Sequence, residues 1–158
     1  MTSKAYTALL TLAGAAILLQ GVWAGIFLEH ENQGESAGSW IDVHARGGDV
    51  ALILTAIATV VAFVRVRARR DLWLGGAALT ALLLVESYLG GLIRDQGKDT
   101  LTAVHIPLAL AIMGLAVWLI VRSRAGAVTT GDDRADAYPD AARTSQSLRQ
   151  TRTQRVPE

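Results

Sequence analysis

Two histidines and one glutamate stand where the chain is otherwise built for hydrocarbon. His44 opens one apolar stretch, His105 lies within the first turns of another, and Glu86 interrupts a third. A neutral imidazole is a good ligand for a transition metal, and its second nitrogen takes a supporting hydrogen bond. A carboxylate held away from water must face a partner or stay protonated. Glu86 lies seven residues before Ile93, which is ~10 Å along a helix. The question is which elements bring these groups to one place.

The 158 residues are 51% hydrophobic, and the apolar residues cluster in four blocks instead of spreading as in a water-soluble domain. A membrane-crossing helix needs about 20 apolar residues. The expected spans are 5–28, 44–66, 72–93 and 101–121. None shows the alternation of a barrel strand. The second run has only 15 uncharged residues, Val50 to Val64. To satisfy its backbone across the bilayer it should begin near Asp42 to His44, which puts His44, Arg46 and Asp49 on its first turns.

Charge sets the expected orientation. The loop "RVRARRD" carries four arginines and one aspartate, and the loop from Glu29 to Asp42 carries three glutamates, one aspartate and no Lys or Arg. Basic short loops stay in the cytoplasm. The expected fold is an all-α integral membrane protein: a four-helix up-down bundle in a bacterial inner membrane, with both termini cytoplasmic. The domain spans 1–124. The remainder, 125–158, is poor in large aliphatics and reads as a disordered cytoplasmic tail. The first run is long for a secretory leader and contains Gln20, so it reads as a retained span. Lipid is the evident partner. Few aromatics and no basic stripe argue against nucleic acid. The absence of cysteine excludes disulfides, thiolate metal sites and covalent heme attachment.

In such a bundle the second and fourth helices run the same way and lie diagonally across the core. His44 and His105 then share one level near the outer end. Two facing imidazoles are the arrangement for bis-histidine ligation of a b-type heme. The same layer holds Gly21 and Gly25, Gly90 and Gly91, and the arginines Arg46 and Arg94. Gly25 and Gly91 would let a flat ring lie close, and a guanidinium fork suits a propionate. Glu86, Asp49 and Gln20 are candidates to hold a ligand histidine in one tautomer, or to line a proton path. Each element also has a plainer reading. A histidine near a span end can be interfacial, Gly21 and Gly25 can be a helix-packing pair, the arginines can anchor headgroups, and Glu86 can fix packing alone. His30 with Glu31 and Glu35 matches no metal-ligand spacing.

The segment "ESYLGGLIRDQGKDTLTAVHIPLALA", Glu86 to Ala111, resembles the third-to-fourth helix segment of one half of a heme A synthase. "LLQGVWAGIFL" followed by a polar loop and "DVHARGG" is similar, more loosely, to the first half of that unit. Small four-helix membrane proteins share the pattern. The likeness covers about residues 10–121. It implies a four-helix frame in which His44 and His105 match the ligand histidines. The family has two tandem bundles, often a cysteine pair in the outer loop, and a glutamate a turn before the first-bundle histidine. Here one bundle is present, there is no cysteine, and Asp42 stands two residues before His44. The expected function is binding of heme b for electron transfer or heme handling, by a chain acting alone, as a homodimer or with a membrane protein partner. The alternative is a heme-free accessory subunit or assembly factor.

Overall fold

The computed structural model describes residues 4–136, with side chains through 125. Four long α-helices follow one another: α1 (Lys4–Asn32), α2 (Gly38–Arg65), α3 (Arg70–Gln96) and α4 (Thr102–Asp136), with one 3₁₀ turn at Asp99–Leu101 before α4. All four are long and apolar enough to cross a membrane. At 27–29 residues each over the spanning portions, they reach ~40 Å, beyond the ~30 Å hydrocarbon core. The tail expected from 125 begins within α4 and lies outside the described residues from 137 on.

The chain turns where glycine permits it. Gly34 has φ +73° and Gly97 has φ +62°, a left-handed conformation that costs side-chain-bearing residues more. At Gly97 the backbone closes α3 with N–H groups of Gly97 and Lys98 donating to the carbonyls of Ile93 and Leu92, at 3.1 and 3.3 Å. These two bonds satisfy carbonyls that the helix end would otherwise leave bare. α2 starts at Gly38, several residues before the Asp42–His44 start expected from its apolar run. Hydropathy marks where side chains turn apolar, whereas the helix begins where the backbone can first bond to itself.

Consecutive helices pack together, and α4 also packs on α1, so the four form a ring in chain order. The residues facing inward are small or aliphatic: Ala13, Ala51, Ala58, Ala62 and Ala116 are buried beside Leu10, Leu72, Leu79, Ile112 and Leu119. Large apolar residues face outward, with Leu18, Val60, Leu110 and Val121 at 60–71% exposure. A chain in water would reverse that order; in lipid, small residues belong at helix interfaces because they bring backbones close. A glycine marks each interface. A Cβ on Gly14 would press Ile120, one on Gly75 would press Leu119, one on Gly76 would meet Thr59, and one on Gly47 would run into Trp23 and Gln20.

The core is confined to one part of the bundle. Along α1 the last buried residue is Ile17, along α3 it is Leu83, and along α4 the first is Ile112. At the opposite end, the starts of α1 and α3, the loop before α3 and the Arg122 turn of α4 are tied by polar contacts. The Tyr6 hydroxyl donates to the Leu72 carbonyl at 3.4 Å. Arg69 forms a two-point pair with Asp71 at 3.0 and 2.8 Å, and Arg122 of α4 reaches the same carboxylate at 3.2 Å. Midway, the hydroxyls of Thr59 and Thr80 meet across α2 and α3 at 3.2 Å.

Candidate functional site

His44 and His105 come together. Their ring centroids are 6.4 Å apart with planes inclined at 63°. The two lie on α2 and α4, which face each other across the ring of helices. Both sit beyond the level at which the apolar core stops.

Each ring turns Nδ1 toward a protein oxygen, but only that of His44 is hydrogen-bonded. The Nδ1 of His44 lies 3.2 Å from the Gln20 carbonyl oxygen. A carbonyl only accepts, so Nδ1 carries the proton and Nε2 keeps its lone pair in the neutral ring. The Phe27 ring meets His44 edge-on at 5.6 Å, closing a second side of the imidazole. The Nδ1 of His105 stands 3.2 Å from Oε1 of Glu86, whose side chain is 13% exposed. This approach is off-axis: both Glu86 oxygens and His105 Nδ1 are buried with no hydrogen-bond partner. Buried polar atoms are rarely left so.

The surrounding glycines divide into two groups. Gly90 lies against His105, where a Cβ would sit 3.5 Å from Cε1 of the ring. Gly21, Gly25 and Gly91 would meet nothing within 4 Å if given a Cβ. Gly21 and Gly25 are exposed and Gly91 is half-buried. Their lack of side chains therefore serves no helix contact within this chain, which removes the packing-pair reading of Gly21 and Gly25 for contacts inside one copy.

The remaining candidates are placed as follows. Gln20 does support His44, but through its backbone carbonyl; its side-chain amide turns back to the Ala16 carbonyl at 3.3 Å. Asp49 and Arg46 are exposed on α2, and no ion pair involves either among the described residues. Arg94 is exposed and already pairs with its neighbour Asp95 at 2.7 Å. His30 donates from Nδ1 to the Ile26 carbonyl at 2.8 Å, and its Nε2 lies 3.8 Å from Glu35. Among the described residues no group of three or more His, Asp or Glu side chains is placed to hold a metal ion.

Gly47 and Trp23 are part of the site's scaffold that residue types alone do not reveal. The Trp23 ring covers Gly47, bringing α1 against α2 one turn from His44 and so setting the Gln20 carbonyl within its reach. No family model, curated protein or solved structure matches the chain.

Proposed function

We propose that the chain is a bacterial inner-membrane protein that holds a b-type heme between His44 and His105. In this reading the helices run up and down, both termini are cytoplasmic, and the histidine layer lies toward the outer face. The basic loop Arg65–Asp71 and the acidic loop Glu29–Asp42 support that orientation.

The observation that carries the proposal is the facing pair of imidazoles, each with Nδ1 turned to a protein oxygen. Metal–imidazole bonds are typically ~2.0–2.1 Å long, and the 6.4 Å between centroids leaves the two rings close enough for one metal ion to reach both. A heme supplies four nitrogens of its own, so a site with only two protein ligands suffices, and the want of a three-ligand cluster does not count against it. The residues fit the group in two further ways. Gly90 presents no side chain to the His105 ring, where a Cβ would sit 3.5 Å from Cε1, and Glu86 brings a carboxylate near the nitrogen of His105 that a metal would not use.

Bound there, the heme would supply one-electron chemistry. His44 and His105 would hold it, the Gln20 carbonyl would keep the His44 ring in place, and Glu86 would stand ready to accept from His105. Arg46 is the better placed of the two arginines for a propionate, since Arg94 already has a carboxylate.

The test is the visible spectrum of the full-length chain purified from membranes after expression with heme available. A Soret band is expected, lost or strongly shifted in His105→Ala and in His44→Ala. A colourless preparation that retains a stoichiometric protein partner would replace this reading with that of a heme-free accessory subunit.

A further inference from the structure

The far end of α2 carries a second feature, independent of the histidine layer. The end of α2 and the start of α3 form a groove of about 510 Å³ lined by Phe63, Arg67, Arg70, Trp73 and Leu74. Phe63 and Trp73 meet edge to face at 5.6 Å. The Arg67 guanidinium lies over the Phe63 ring, 5.3 Å from its centre.

The charges here are unbalanced. Asp71 is the one acid between Arg65 and Leu74, and it is taken by Arg69 and Arg122. Among the described residues no ion pair involves Arg65, Arg67 or Arg70. The apolar wall is open to the outside of the bundle: Phe63 is 46% and Leu74 51% exposed. On a helix long enough to cross a membrane, that face meets acyl chains, and the arginines just beyond the apolar run stand at headgroup level. A guanidinium stacked on an aromatic face keeps its N–H edge for a phosphate oxygen.

From these features we infer that the groove is a binding site for an anionic phospholipid. The phosphodiester would lie between Arg67 and Arg70, and one acyl chain along Phe63, Trp73 and Leu74. A zwitterionic lipid would set its ammonium group against the same two guanidiniums. The inference stands whether or not the histidine layer binds heme.

The full-length chain in neutral detergent is titrated with phosphatidylglycerol, phosphatidylcholine of the same acyl chains, or water-soluble glycerol phosphate, and lipid retained is counted by native mass spectrometry. One phosphatidylglycerol per chain is expected, preferred over phosphatidylcholine by about tenfold or more. The exposed arginines allow clean variants. R67Q/R70Q should erase the preference, whereas R65Q, on the same rim but outside the groove, should keep it. Equal retention of the two lipids by the unaltered chain, an equal loss in R65Q, or displacement of the lipid by an equal concentration of glycerol phosphate would each overturn the assignment.

Discussion

The Glu86 carboxylate stands 3.2 Å from Nδ1 of His105, and neither partner completes a hydrogen bond. α3 thus carries an acid whose two oxygens are buried and set against a ring on α4. Each unsatisfied buried group costs about 1–3 kcal/mol, so this contact weakens the fold and must be judged by what it does for His105. Glu86→Leu is expected to leave thermal stability in detergent unchanged, or raise it by ~1–3 kcal/mol, as apolar replacement of buried charge often does. The same change should loosen heme retention about tenfold or more, with Glu86→Gln between the two. A marked loss of stability in Glu86→Leu would show instead that the acid is a packing strut.

Gly47 is where α1 and α2 come closest beside the site. A methyl group there would enter the Trp23 ring. Gly47→Ala should cost about 1–3 kcal/mol, in the range of overpacking, read from detergent-solubilised thermal unfolding. Trp23→Leu removes the colliding ring, so the double variant should recover most of the loss. Additive losses in that cycle would mean the two residues do not touch.

Gly25 and Gly91 make the opposite case. An added Cβ meets nothing at either position. Alanine there should be neutral or stabilise the helix by up to ~1 kcal/mol, as expected from helix propensity. Leucine at Gly25 or Gly91 should keep helicity and stability but abolish heme loading, measured as Soret absorbance per chain. Full loading in both leucine variants would separate these glycines from the cofactor.

The Thr59–Thr80 contact ties α2 to α3 through hydroxyls 3.2 Å apart. Each hydroxyl has one proton and also a local acceptor, the Thr55 carbonyl for Thr59 and the Gly76 carbonyl for Thr80, both at 2.9 Å, so at most one of the two donates across the interface at a time. Because those local bonds satisfy the hydroxyls without the partner, Thr59→Val or Thr80→Val should cost only about 0.5–1 kcal/mol. The double valine should cost no more than one single change. A sum of the two effects would indicate independent roles.

The four long helices were legible because predominantly apolar runs of that length have few other uses. The meeting of His44 and His105 was legible from loop order, which returns alternate helices to the same end. Other features were not. The support that Gln20 gives His44 passes through a backbone carbonyl, which side-chain identity cannot announce. The pairing of Arg94 with Asp95 at 2.7 Å was not legible from residue type alone, although the acid follows the arginine directly. The start of α2 at Gly38 was hidden because its first turns are polar. The Trp23–Gly47 contact depends on how α1 is rotated about its axis, and a helix apolar on every side carries no periodic signal to fix that rotation.

The apolar core ends at Ile17, Leu83 and Ile112, short of the level that holds the histidines. The buried apolar packing and the histidine pair therefore occupy different stretches of the same four helices. Under the proposed reading, a change at His44 or His105 would alter what the mouth grips while the trunk below keeps its shape. The Trp23–Gly47 contact is the seam through which a change near the mouth would still reach the trunk.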